Sequence, residues 1–328
     1  MNKIINNFLK LNYQESNLLK LKQDASSRDY YRIENSKGSF ILMDSKKEKK
    51  QFDNYLNIYN ILKNVKISIP KIIECDKKNH LILMEDFGDQ RFDKLIHDSK
   101  HSKKLMEIAI ISLISIKKSI SKNKKFNLKT YSFKNLKKEV VEFIDWYYPF
   151  VWNKEISLAD KNAFLEIWKE TYCKINFDFS SFVHGDFFCN NLIYLPKRNI
   201  KHQCGILDYQ DALWGDDSLD IVSLFEDSRR IIKSNFRNDL INYYLKETNQ
   251  INSKDNFKIK MNFLGAARQT RILGRWIKLL KIKKKKDYIK YIDFTWHWLE
   301  NNLKIDQFSD LRNIINDLIP HNKRKYDN

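Results

Sequence analysis

The stretch FVHGDFFCNNLIY, residues 182–194, decides how this chain is read. Two apolar runs flank a loop that holds His184, Gly185 and Asp186 and then, after four residues, Asn191. Seventeen residues beyond Asn191, Asp208 closes another apolar run, GIL (205–207). Phosphoryl transfer requires such a set. One carboxylate takes the proton of the attacking hydroxyl, while a carboxamide and a second carboxylate hold Mg2+ against the phosphates. Singly, each residue has an ordinary reading: His184 as a packed histidine, Asn190 as a turn former, Asp-x4-Asn as a chance spacing. Order, spacing and strand context together outweigh those readings. Asp186 becomes the candidate base, and Asn191 and Asp208 the candidate metal ligands.

Protein kinases place His-Arg-Asp-x4-Asn in a loop and Asp-Phe-Gly after the next strand. Here the order is His184-Gly185-Asp186-x4-Asn191, then Asp208-Tyr209-Gln210. Upstream, DYYRIENSKGSFILMD (29–44) reads as two strands joined by a Ser-Lys-Gly turn. Phe52, Leu56, Tyr59 and Leu62 recur at close to the helical period, so 46–65 contains a helix. From Pro70 the pattern is strand, turn at 77–79, strand, and an acidic segment ending at Gly88. Beyond 88, helices are expected over 91–97, 102–121, 133–148, 158–176, 217–232, 236–247, 255–281, 285–302 and 307–318, with 182–213 strand-like. The fold class expected is α+β. A small β-sheet lobe with one helix (1–88) would bind the nucleotide. A larger, mainly helical lobe (89–328) would carry the catalytic loop, metal site and substrate site.

Composition narrows the partners. With 42% hydrophobic and 13% aromatic residues the chain can build a core, and 7 Gly and 4 Pro leave little for long linkers. A net charge of +19 would ordinarily suggest nucleic acid or an anionic membrane. The excess comes from 48 Lys against 12 Arg, spread along the chain and densest in KIKKKK (281–286), a pattern of solvated faces. No nucleic-acid partner is expected, and no obligate protein partner is evident. Four separated Cys without a CxxC pair fit reduced thiols in the cytoplasm. MEIAIISLISI (106–116) is too short to span a bilayer, and the N-terminus lacks a signal-peptide core, so a soluble cytoplasmic protein is expected.

VHGDFFCNNLIY and GILDYQDALWGDDSLDIVSL (205–224) together resemble the core of the aminoglycoside phosphotransferase and choline kinase superfamily. That core continues with Gly-Asp-x3-Asp, matched here by Gly215, Asp216 and Asp220. Within it the chain is most similar to bacterial cell-wall amino-sugar kinases, which phosphorylate the anomeric hydroxyl of N-acetylmuramate and N-acetylglucosamine. DASSRDYYRI (24–33) resembles their phosphate hairpin, LILMEDFG (81–88) their hinge, DYQDALWG with DIVSLFED their metal segment, and ARQTRILG (267–274) a late Arg-bearing helix. The resemblance runs from about 20 to 300 and rests mostly on these motifs.

The resemblance implies a bilobal, protein-kinase-like fold with ATP (or GTP) between the lobes and Mg2+ on Asn191 and Asp208. Asp220 and His184 would support the catalytic loop. Ser26, Ser27 and Arg28 would cover the phosphates, and Met84, Glu85 and Phe87 would meet the base through their backbone. Met43 stands where protein kinases carry a phosphate-gripping Lys, so that cation could be Arg28 or Lys46. Arg268, Arg271 and Arg275 share one helix face. They could clamp a substrate carboxylate, face the active-site carboxylates, or cover acidic neighbours. Asp211, Asp227 and Arg268 are candidate substrate contacts. Trp214, Trp276 and Trp296 read as core residues before sugar platforms. The expected acceptor is an amino sugar. Choline, homoserine or an aminoglycoside is the alternative, and a nucleotide-binding regulator without catalysis the alternative of another class.

Overall fold

The computed structural model describes residues 3–10, 13, 16–21, 28–36, 38–122, 126–229 and 236–324. Ser26 and Ser27 lie outside them. The chain opens with a helix not expected from the sequence, α1 (Lys3–Lys10), followed by β1 (Asn17–Lys20), β2 (Asp29–Asn35), β3 (Gly38–Asp44), α2 (Lys49–Leu62), β4 (Ile72–Asp76) and β5 (Leu81–Glu85). The strands form one antiparallel sheet in the order β1-β2-β3-β5-β4. Side chains alternate across a strand. Leu42, Leu81 and Leu83 therefore pack with Ile5, Phe8 and Leu9 of α1, while Met84 accepts a hydrogen bond from Tyr55 of α2 (3.3 Å). Cover on both faces explains why LILM is a continuous apolar run. The buried stripe of α2 is Phe52, Tyr55, Ile58, Ile61 and Leu62. It is turned from the expected Phe52-Leu56-Tyr59-Leu62 stripe because Tyr55 is drawn onto Met84 and onto Tyr209.

A single-turn helix, α3 (Phe92–Leu95), and a long one, α4 (Ser99–Ser119), end the first pass through this unit. The chain then supplies α5 (Phe133–Glu142), a π turn at Phe143–Tyr147, α6 (Tyr148–Trp152), α7 (Leu158–Lys174) and β6 (Ser181–Val183), before the paired β7 (Leu192–Tyr194) and β8 (Cys204–Ile206). The rest is β9 (Leu213–Gly215), which pairs with β6, and α8 (Ser218–Phe225), α9 (Arg237–Glu247), α10 (Lys254–Lys283), α11 (Ile292–Asn302) and α12 (Ser309–Leu318). Two compact units result: 1–119 with 189–212, and 120–188 with 213–328. Bridges Arg91↔Ile193 and Ser68↔Gly205 tie β7 and β8 to the sheet-bearing unit.

In the helical unit, α10 is buried along most of its 30 residues. Gly274 is required there: a Cβ would lie 2.1 Å from the Glu142 carbonyl oxygen. The π turn begins at that contact, and the Tyr148 N–H reaches back to the Phe143 carbonyl. Trp214, Trp276 and Trp296 are all buried. The helix expected over 217–232 stops at Phe225. Glu226, Asp227 and Ser228 then turn inward and are buried, with the Glu226 carbonyl accepting from Gln269 (3.0 Å) and its carboxylate from Asn302 (2.6 Å). Among the described residues no helix is long and apolar enough to cross a membrane.

Candidate active site

The metal-ligand candidates meet at one end of the β7–β8 pair. Leu192 is opposite Ile206, and the Leu207 N–H donates to the Asn191 carbonyl (2.9 Å), so the register sets Asn191 opposite Leu207, the residue before Asp208. Asp208 has φ +59°. A left-handed non-Gly residue costs on the order of 1–3 kcal/mol and persists only when its surroundings hold it. Those surroundings are visible. Arg28 Nη2 donates to Asp208 Oδ1 (2.8 Å), and Gln210 Nε2 donates to the same oxygen (3.0 Å). Arg28 is buried, lies over the Tyr30 ring, and its Nε is 3.6 Å from the Glu48 carboxylate.

Helix α2 closes the arrangement with one face. Glu48, at its start, faces Arg28; Gln51 donates to Asp211 (3.1 Å); Tyr55 stacks on Tyr209 with centroids 4.7 Å apart. These positions are three and four apart, which is one side of a helix. The sequence reading did not pick out Glu48 or Gln51. Lys46 is exposed and Met43 fully buried, which leaves Arg28 as the cation at the Asp208 carboxylate. Among the described residues no three His, Cys, Asp or Glu side chains could hold a metal unaided. Two hard oxygen donors suit Mg2+, which keeps waters and takes phosphate oxygens for the rest of its shell.

In the same unit, arginines pin the segment expected to meet the base. Arg198 pairs with the Glu85 carboxylate and lies over the Phe87 ring. Arg32 donates to Asp86 (2.7 Å) and to Asp89 (2.8 Å), and Ser39 donates to Asp86 (2.6 Å). A Cβ at Gly205 would come within 2.6 Å of the Phe87 ring, so that glycine lets Phe87 seat. Met84 is buried in the sheet.

The helical unit carries the loop expected to hold the catalytic base. After β6 the backbone turns at Gly185, φ +88°, a conformation that favours glycine. The turn aims the N–H groups of His184 (2.7 Å) and Gly185 (2.9 Å) at the two oxygens of Asp220. Asp220 sits in the first turn of α8, and α8 is itself anchored. Asp216 accepts from Ser218 Oγ (2.6 Å) and pairs with Lys260 of α10 (2.9 Å); Asp217 accepts from Tyr244 (2.6 Å) and Gln250 (2.9 Å). Burial pushes the Asp220 carboxyl up to about 6, against the opposing pull of His184 and the two N–H donors. His184 is buried, and its Nδ1 accepts the Asp186 N–H (3.3 Å). The Asp186 carboxylate is left 46% exposed, 3.5 Å from Arg271 Nη2, where an acceptor hydroxyl can reach it.

Residues 156–252 match the sequence profile of the Phosphotransferase enzyme family, a span containing Asp186, Asn191, Asp208 and Asp220. Over this span the chain resembles that family. Relatives include an N-acetylmuramate/N-acetylglucosamine kinase of Caulobacter vibrioides, 28% identical over 71% of this chain and 66% of that protein. A protein of the same name from Pseudomonas aeruginosa is 24% identical over 86% of this chain and 82% of its own length. Among solved structures, an ADP-bound aminoglycoside phosphotransferase superposes with TM-score 0.60 at 16% identity, covering 94% of this chain and 99% of that one. A choline kinase of Streptococcus pneumoniae does so with TM-score 0.56 at 15% identity, covering 92% and 97%. The fold is therefore the kinase-like α+β fold of these phosphotransferases.

C-terminal to the matched domain, the three arginines of α10 part company. Arg275 makes a two-pronged bond to Glu142 (2.8 and 2.7 Å) and so binds α10 to α5. Arg271 faces Asp186; burial works against its charge, but Glu139, Asp186 and Glu142 outweigh it and hold it protonated above the usual range. Arg268 is buried beside Phe188, and burial, with Arg271 nearby, brings its pKa down to about 10. Asp227 is buried, and its Oδ1 accepts the Arg229 N–H (2.9 Å). Asp211 is exposed and tied to Gln51 and Gln210. The sequence reading did not pick out Arg229 or Phe188, which these contacts bring beside Asp186 in the fold.

Proposed function

We propose that this phosphotransferase transfers the γ-phosphoryl group of ATP (or GTP) to the anomeric hydroxyl of an amino sugar of the N-acetylmuramate/N-acetylglucosamine type. The reaction would belong to cytoplasmic salvage of cell-wall sugars. The observation that carries the kinase reading is the Asp220 clamp on the turn that precedes Asp186, where two main-chain N–H groups meet one buried carboxylate. The amino-sugar reading is supported by the names of the two relatives.

Asp186 would orient the acceptor hydroxyl and accept its proton, and Arg271 would fix the carboxylate. Asn191 and Asp208 would hold Mg2+, which supplies charge neutralisation at the transferring phosphoryl group. Arg28 would provide the fixed cation at that end. The backbone of Met84, Glu85 and Phe87 would meet the base, and Ser26 and Ser27 the phosphates. Asp211, Asp227 and Arg268 remain proposed acceptor contacts. Residues 1–88 would form the nucleotide lobe in the functional sense, and no nucleic-acid, membrane or obligate protein partner is invoked.

The test is ADP release from MgATP with a panel of amino sugars, choline, homoserine and aminoglycosides, with phosphorus NMR of the product. An acid-labile phosphate coupled to the anomeric proton is expected. Asp186→Asn should lower turnover by about 10²–10⁴ while nucleotide still binds. Turnover of choline alone, or an acid-stable 6-phosphate, would overturn the acceptor assignment. Nucleotide binding without turnover of any acceptor would favour a regulator.

A further inference from the structure

Phe188, two residues after Asp186, carries two arginines on its ring. The Arg229 guanidinium lies 5.1 Å from the ring centroid and that of Arg268 5.8 Å. Arg229 also lies over Trp276, at 5.3 Å. What sets these two apart is the lack of a direct ion pair. Among the described residues, Arg271 has Asp186 and Arg275 has Glu142, but neither Arg229 nor Arg268 has an acidic side chain at ion-pair distance. Arg268 is 5% exposed. Its Nη1 donates to the Glu226 carbonyl (3.3 Å), and its buried Nε has no hydrogen-bond partner among the described residues.

Asp186 and Asp227 act on the Arg268 charge from beyond ion-pair distance, but a buried guanidinium with an unmet N–H and no direct ion pair is still costly, and folds keep one where a partner arrives from outside. Guanidinium N–H edges match a carboxylate in two-pronged geometry. The fold also spends contacts on keeping Arg268 in place: Gln269, the next residue on α10, holds the Glu226 carbonyl and Ser228. The same ring disfavours a cation, because a quaternary ammonium would need the aromatic surface that the guanidiniums already occupy.

We propose that Arg229 and Arg268 form an anion subsite that grips a carboxylate carried by the acceptor while its hydroxyl lies at Asp186, so that the enzyme selects acidic over neutral or cationic acceptors. This rests on the amino-sugar kinase reading and adds the basis of its specificity. N-acetylmuramate carries a lactyl carboxylate, and N-acetylglucosamine is the otherwise matched sugar without it.

The experiment compares kcat/KM for those two sugars in the full chain, in Arg229→Met, in Arg268→Met and in Arg268→Lys. Each Met substitution should lower the muramate-to-glucosamine ratio by about tenfold or more, and Arg268→Lys should restore part of it. The methyl ester of N-acetylmuramate should lose a similar factor with the unsubstituted enzyme and little more with Arg229→Met. A ratio is insensitive to general damage to folding, and Arg229, only half-buried, guards against failure of the Arg268 variants. A ratio unchanged in both Met variants, or an ester turned over as well as the acid, would overturn the subsite. If neither sugar is phosphorylated, the amino-sugar reading fails. The subsite is then decided by D-lactate in the millimolar range: it should raise the melting temperature of the unsubstituted chain more than that of Arg229→Met, and an equal response overturns it.

Discussion

Replacing Asp220 by Asn removes one charge and changes one atom's hydrogen-bonding sense. Asp220 receives two main-chain N–H groups, from His184 at 2.7 Å and Gly185 at 2.9 Å. An amide keeps one acceptor oxygen and turns its NH2 toward the other N–H, donor against donor. A hydrogen bond to a charged group is worth about 1.5–3 kcal/mol. Part of that loss is offset, because burial already disfavours the Asp220 charge enough to raise its pKa to about 6. A net loosening of the His184–Asp186 turn by about 2 kcal/mol corresponds to roughly thirtyfold in a rate that depends on Asp186 placement. Asp220→Asn should therefore lower kcat by about tenfold to a hundredfold. The nucleotide KM should be nearly unchanged and the melting temperature only slightly shifted. Steady-state kinetics and thermal melts of the two proteins are the assay. Acid pH should mimic the substitution: protonating Asp220 below about 6 removes the same acceptor, so kcat falls through that pH, and the fall should be weaker in the variant. The sign for stability is opposite. A folded pKa above the unfolded carboxylate value, about 3.9, makes this group's contribution most favourable below the unfolded value, and that contribution is lost as pH rises through about 6. Its acid loss of activity is then not unfolding. A variant with kcat within twofold of the parent would refute the clamp.

Asp208→Asn should weaken Mg2+-dependent ATP binding more than Asp211→Asn does, because Asp208 follows β8 and is bound by the buried Arg28 whereas Asp211 is exposed and bonded to glutamines; calorimetric titration with MgATP gives the order, and the reverse order would shift the metal site. Arg28→Met leaves Asp208 without its buried cation and should weaken MgATP binding by about tenfold or more, with Arg28→Lys intermediate; unchanged binding would remove Arg28 from the nucleotide site. Gly274→Ala drives a Cβ to 2.1 Å from the Glu142 carbonyl oxygen and should destabilise at or above the upper end of the ~1–3 kcal/mol typical of overpacking. A thermal melt detects this, and a neutral result would mean that α10 and α5 can separate there.

The sequence alone determined the order of the chemistry. Asp186-x4-Asn191, Asp208 at a strand end and Asp220 within Gly-Asp-x3-Asp are local spacings, set by turns and short strands, so they could be read from one stretch. The approximate extents of α4, α7 and α10 were equally legible, because helix-forming composition is a local property of the chain. Tertiary structure alone decided the partners. Arg28 and Asp208 are 180 residues apart in the chain, and no local pattern says which of the cations near β3 turns inward. The face of α2 was misjudged because Tyr55 packs on Tyr209, a contact made only when β7 and β8 join the sheet-bearing unit. Helix α8 ends early because Glu226 and Asn302 bond across 76 residues, overriding a favourable helical sequence. Three arginines on one helix face looked equivalent. They separate because each direction around α10 meets a different neighbour: Glu142 for Arg275, Asp186 for Arg271, and for Arg268 an aromatic ring, with no direct ion pair among the described residues.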